Sequence, residues 1–480
     1  GRGEGLRDRS VPHGRGFDPA NGAVERSELE GDGSMSFYCQ AVAARVTSAM
    51  TVGTTINVDF SFGGESPKAC VVWAVGLGTA LATDDAAAAA VSLSRGVATS
   101  TTARFCASWQ STEGGETSAV ASDHRADSVL CQITADAVVG RLDLNAFSAD
   151  RVQLIVDAQF TANTIFIVQA WAGTEITNAT CFSSIIPIVT GVENITIPGF
   201  PVKWFDVMSI GLSGGIPQAS ATQWRCIIGN GFPDTAEGFV TVSRIDDGQA
   251  TTNTASYYSD SECFAVMTST GTVGGRFVVT ASHPSGWTWD QVEVQGSGVR
   301  YIALALGGTF QVAKGFFDIP FPVDSSQAIE PGFSVVSGGL TFSCGRLFSA
   351  ADTPSADAEL SLGGFNRPQT APVALAQGFR DYDNVLCSVA SPELFVRKAD
   401  VFAHLSAGAV VAGAVGPDVI ADVPTRFHLV ENVAEAGAIN FSYAVFGPAE
   451  PAAAGGLVDL ILTDSASGFG RRIRSADLWV

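Results

Sequence analysis

Short apolar runs broken by Gly, Pro, Ser, Thr and Asp recur along the whole chain, at the length of strands and with strand residue types. Arg151-Val-Gln-Leu-Ile-Val-Asp-Ala-Gln-Phe160 and Arg276-Phe-Val-Val-Thr-Ala281 carry β-branched and aromatic residues between turn formers. Helical candidates are few. The Ala-rich stretch from Asp84 to Ser94 and the mixed stretch from Ser391 to Leu405 both lack a sustained 3.6-residue period. The pattern predicts an all-β protein built of antiparallel sandwiches or jelly rolls.

The runs also repeat at the spacing of a whole domain. Apolar segments open after Pro or Gly at Pro67 to Gly76, Pro201 to Gly211 and Pro331 to Gly338, and others close on glycine at Ile165 to Gly173, Tyr301 to Gly308 and Phe441 to Gly447. Between them, Phe105, Phe239 and Phe365 precede Cys131, Cys263 and Cys387, which stand in similar strings 132 and 124 residues apart. Four landmarks in one order, three times over, predict a degenerate triplication. The expected division is an N-terminal arm and leading strand (1–56), a first sandwich (57–173), a linker strand with a second sandwich (174–308), a linker strand with a third (309–447), and a C-terminal segment (448–480). The connecting runs Ile185-Ile-Pro-Ile-Val189 and Phe316-Phe-Asp-Ile-Pro-Phe321 are too apolar for free linkers. They are expected to be edge strands that pack one domain on the next or cross to another subunit.

Composition narrows the function. With 480 residues, 46% apolar and 16% charged, the chain can bury about three cores. It has no apolar run of about 18 residues, which argues against a membrane-spanning helix. A net charge of −21 opposes contact with a phosphate backbone, so nucleic acid is not an expected partner. Arg2, Arg7, Arg9 and Arg15 are the exception: with Phe17 they make the N-terminal stretch either an arm that anchors on an acidic neighbour or a plain tail. Nine scattered cysteines without Cys-x-x-Cys pairs read as small buried hydrophobes in a protein folded under reducing conditions.

Chemistry-bearing patterns are weak. Asp246-Asp-Gly248 and the group Asp381, Asp383 and Asn384 offer oxygens of the kind calcium takes, but lack a calcium-loop spacing and read better as turns. The His residues fall at non-matching places in the repeats, and no nucleophile elbow or phosphate loop is present, so no catalytic residue, metal or cofactor is expected. Trp287 and Trp289 alternate onto one face and are the candidates for stacking on a sugar ring; the competing reading buries that face in the sandwich.

The Pro67-Lys-Ala-Cys-Val-Val-Trp73 opening, the Ser/Thr- and Asp-rich middle and the Val299-Arg-Tyr-Ile-Ala-Leu-Ala-Leu-Gly-Gly308 closing resemble repeats in structural proteins of tailed bacteriophages. The likeness spans residues 57 to 447 and weakens in the third unit, which lacks the Pro-Lys-Ala opening and ends in Phe446-Gly447. The resemblance implies a non-enzymatic virion protein, a head decoration, fibre or tail component, whose partners are copies of itself and other virion proteins. The alternative expectation is an adhesin that recognises a receptor or host-surface glycan.

Overall fold

In a computed structural model, the described residues are 36–77, 86–87, 90–112, 115–134, 137–186, 188–220, 222–269, 271–294, 296, 298–319, 326–333, 339–344, 352–366, 373–386, 393–397, 400, 402–406, 410–417, 427–433, 439–449, 460–463 and 470–473. Among them there is no helix, and the sheets are antiparallel throughout. Both helical candidates contain strands: Ala86–Ala87 and Ala90–Ala98 in one, Glu393–Arg397 and Phe402–Ser406 in the other.

The first unit shows the plan. Its strands are β1 (Tyr38–Val46), β2 (Thr55–Asp59), β3 (Pro67–Val75), β4 (Ala86–Ala87), β5 (Ala90–Ala98), β6 (Arg104–Thr112), β7 (Ala119–Arg125), β8 (Leu130–Thr134), β9 (Ala137–Ser148), β10 (Arg151–Ala158) and β11 (Thr164–Ala172). A large sheet runs β1-β11-β3-β5-β6-β7, and a small sheet runs β2-β10-β9-β8. The second and third units repeat both orders, strand for strand, within residues 176–308 and 311–447. The leading strand β1, ahead of residue 57, is part of the first unit's large sheet.

Each large sheet gains one more strand from another unit. Gln218–Ser220 of the second unit adds to β7 of the first, and Ser355–Ala356 of the third adds to Thr254–Ser259 of the second. The first unit's β4 adds to Glu393–Arg397 of the third. Donor and acceptor positions are the same in all three cases, so the exchange runs head to tail and closes: three units form a ring with pseudo-three-fold symmetry. A heterologous contact whose rotation closes gives a ring, and here one chain supplies all three protomers.

Alternation along the central strands shows why the apolar runs are continuous. In β3, Cys70, Val72 and Ala74 enter the first unit's own core, while Ala69, Val71, Trp73 and Val75 join a core shared with the other units. β11 divides in the same way, with Phe166, Val168 and Ala170 inward and Ile165, Ile167 and Trp171 toward the ring axis. A sheet covered on both faces needs apolar residues at both parities. The opening and closing segments of the first two units are therefore these two strands and their counterparts, Trp204–Ser209 and Val299–Gly308; in the third unit the closing strand is Ile439–Gly447, but the opening strand is Gly339–Cys344, just past the expected Pro331 to Gly338.

The cysteine landmark does not hold its register. Gly96 and Gly229 mark one shared position: a Cβ would come within 2.2 Å of the Val129 carbonyl oxygen in the first unit and 2.0 Å of the Cys263 carbonyl oxygen in the second. Cys263 thus corresponds to Val129, and Cys131 to Ala265. In the third unit the bond from Cys131 N to Ser94 Oγ returns as Ala403 N to Ser361 Oγ, which makes Ala403 the third counterpart. Cys387 lies outside the described residues.

Candidate assembly interfaces

The ring axis is filled by side chains that sit at equivalent positions but differ in size. Trp171, Leu306 and Phe446 hold one position of the closing strands, and Trp73 and Met208 share one position of the opening strands. Trp171 lies 5.3 Å from Trp204 and 5.6 Å from Phe446, with Trp204 to Phe446 at 5.1 Å, so one aromatic cluster joins all three units. Beside it Phe37 of the first unit stacks on Phe310 at the start of the third, at 5.4 Å.

One seam carries a buried charge pair. Arg95 on β5 and Asp206 on Trp204–Ser209 meet at 2.5 Å across the first and second units, with side chains 2% and 0% exposed. Burial pushes the Asp206 carboxyl up against the pull of Arg95, and its Oδ1 has no hydrogen-bond partner. At the seam from third to first unit, the same two positions hold Leu362 and Val71, both in the axial core. That seam instead uses Gln377, which accepts from Val75 N at 3.3 Å and donates to Ile165 O at 3.0 Å.

A turn latches consecutive units. Ser118 of the first unit takes a backbone pair with Gly248 and Gln249 of the second, its hydroxyl donates to Asp246 O at 2.8 Å, and Asp247 Oδ1 accepts from Val120 N at 3.1 Å. One unit further on, Thr252 takes the same pair with Asn384 and Val385, its hydroxyl donates to Tyr382 O, and Asp383 Oδ1 accepts from Thr254 N at 3.0 Å. Gly248 and Asn384 have φ of 69° and 57°, a conformation that Gly and Asn adopt most readily. The Asp-Gly and Asp-Asn groups are thus turns, as the sequence suggested, and the carboxylates of Asp247 and Asp383 are spent on the neighbouring unit. Replacing Ser118 by alanine is expected to lower stability by about 1–2 kcal/mol, measured as a drop in the urea midpoint at unchanged slope.

His124 joins the same seam. Its Nε2 accepts from Ile210 N at 3.1 Å, and complete burial, aided by the charge of Arg300, pushes its pKa down to about 3. Neighbouring Asp123 is pushed the other way, to about 7, by burial that outweighs Arg125. The signs oppose. The contribution of neutral His124 is complete above the unfolded value of about 6.5 and is lost as pH falls toward 3. That of protonated Asp123 is complete below about 3.9 and is lost as pH rises through 7. Comparing wild type with His124→Gln isolates the first: urea titrations at pH 7 and pH 4.5 should show the wild type losing more stability than the variant on acidification.

The residues singled out in the sequence are now placed. Trp287 and Trp289 are 0% exposed inside the second sandwich, Trp287 stacked on Phe205 at 4.1 Å and Trp289 5.4 Å from Phe277, so the indoles offer no face to a sugar. The ligand-binding reading gives way to the core reading because rings from the large sheet, Phe182, Phe205 and Tyr301, cover the face that carries both indoles. Arg2, Arg7, Arg9, Arg15 and Phe17 lie outside the described residues. Ile185 and Phe316 sit on edge strands of the large sheets, 43% and 55% exposed. The seven cysteines whose side chains are described are free and buried, which pushes Cys39 up to about 12 and Cys181 up to about 11.

Sequence reasoning missed the strand exchange and the Arg95–Asp206 pair. The pair did leave a signal, since Asp206 interrupts the apolar run from Trp204 to Ile210, and Arg95 stands amid Val91 to Ala98. Among the described residues, no group of three or more His, Cys, Asp and Glu is placed to hold a metal ion, and no helix is long and apolar enough to cross a membrane. Neither a known protein family nor a curated protein matches the sequence.

Proposed function

We propose that the protein is a non-enzymatic structural component of a tailed-virus particle, a head decoration, fibre or tail component, and that it works as a three-fold building element made from one chain. The closed ring of three units is the observation that carries this reading. Three sandwiches spend their inner faces and their exchanged strands on each other, and two of the seams add a turn carboxylate. What they leave outward is three small sheets of common architecture and different sequence. Such a body fits a site of three-fold or near three-fold symmetry while offering a distinct face to each neighbour, which a homotrimer cannot do. Its partners on this reading are copies of itself and other virion proteins, with assembly in the reducing host cytoplasm, where buried free thiols persist.

The tailed-virus setting rests on the resemblance of the Pro67 to Trp73 and Val299 to Gly308 segments. Mass spectrometry of gradient-purified particles of the virus that encodes the chain tests it, together with sedimentation of the purified protein over a range of concentration. The expected result is a stoichiometric virion component that associates at high concentration. A chain that is absent from particles and stays a single ring at every concentration would remove the proposal.

A further inference from the structure

One cross-strand position takes a different charge in each unit. Counting four residues back from the equivalent glycines Gly96, Gly229 and Gly363 gives Ser92, Arg225 and Glu359. Directly opposite them on the next strand stand Gln110, Arg244 and Arg380. The first unit pairs two neutral side chains, and the third pairs a carboxylate with a guanidinium. The second unit sets two guanidiniums face to face. Like charges directly opposite each other destabilise a sheet unless something lies between them.

The surroundings compensate that charge only in part. Arg225 and Arg244 line a polar recess of about 140 Å³ with Thr222, Trp224, Ile245 and Asp246, room for about five waters. Among the described residues, Arg225 makes one side-chain hydrogen bond, from Nη1 to Gly211 O at 3.3 Å, and no ion pair. Arg244 gives Nε to Asp246 at 2.7 Å and Nη1 to the carbonyls of Met267 and Thr268, which leaves Nη2. The Asp246 carboxylate is engaged on both oxygens, by Arg244 and by Asn253 Nδ2 at 2.7 Å. Burial, with the charge of Arg244 added, holds the Arg225 pKa down to about 10. In a chain of net charge −21, this recess is locally cationic.

We propose that the recess binds a small oxyanion, a phosphate or carboxylate group, in the fork between Arg225 and Arg244. The planar donor fork of arginine matches two oxygens of either group. The third unit shows the arrangement with the anion supplied by the protein, because Glu359 stands there in place of Arg225.

The test is urea denaturation of the full chain in sodium phosphate, sodium acetate and sodium chloride at matched ionic strength and pH 7. Phosphate stabilises many proteins by exclusion from their surface, so the difference between wild type and variants is the readout. Arg225→Ser with Arg244→Gln copies the first unit's neutral pair, and Arg225→Glu copies the third unit's placement of a carboxylate opposite a guanidinium. Wild type is expected to gain stability with the logarithm of phosphate or acetate concentration once the site fills, and the stronger of the two identifies the group recognised. Both variants should lose that response, and Arg225→Glu should exceed wild type in chloride. An equal response of wild type to all three salts, or an unchanged phosphate response in the Ser/Gln variant, overturns the proposal.

Discussion

Replacing Asp206 by alanine lowers the unfolding free energy by about 3–5 kcal/mol, because Arg95 is then left buried and unpaired at the seam of the first two units. The size of the loss measures the desolvated guanidinium, not the worth of the pair. Removing both partners should therefore cost little. Arg95→Leu with Asp206→Val installs the residues that the third-to-first seam already uses, Leu362 and Val71, and the double variant should be within about 1 kcal/mol of wild type or more stable by about 1–4 kcal/mol. Denaturant titration of wild type, Arg95→Leu, Asp206→Val and the double variant gives the coupling directly. A double variant as unstable as Asp206→Ala would mean that the two side chains act on something besides each other.

Trp204→Ala is the second large effect. The side chain is 0% exposed and touches Trp171 of the first unit and Phe446 of the third, so its removal opens a cavity where all three units meet. Truncation of a buried Trp costs about 3–5 kcal/mol. Because the cavity is shared, fluorescence probes placed in the first and third units should report the same lowered midpoint. A shift confined to a probe in the second unit would show that the axial cluster is not shared in energy, whatever its geometry.

How much of this could be read from the sequence depends on which physical signal each feature leaves. The doubly covered strands leave the strongest one, since apolar residues at both parities of Pro67 to Gly76 and Ile165 to Gly173 have no other use in a soluble sheet. Those segments carry the triplication, while the cysteines, which are merely small buried residues, stand two positions out of register in the second unit and further out in the third. The apolar connecting runs pointed to edge strands, and β-strands Ile176–Ile186 and Gln311–Ile319 are edges of the large sheets. The exchanged strands left almost no trace, because two or three residues such as Ser355–Ala356 pair by backbone register, which any sequence can supply. The turn aspartates were visible as turns, but their use was not: Asp247 and Asp383 accept from residues more than a hundred positions away, and separation on that scale has no local pattern. Trp287 and Trp289 alternate in the same way whether a face is wet or dry, so periodicity alone could not decide between a stacking platform and a core.

The assembly reading and the oxyanion site make separate demands on the molecule. The first needs the ring to behave as one body, and the second needs only the second unit's sheet. Scanning calorimetry of the intact chain tests the ring most directly. Three units that share an axial core and lend each other strands should unfold in one transition whose calorimetric and van't Hoff enthalpies agree. Two or three resolved transitions, each with about its own share of the total enthalpy, would contradict the account and reduce the chain to independent sandwiches in a row.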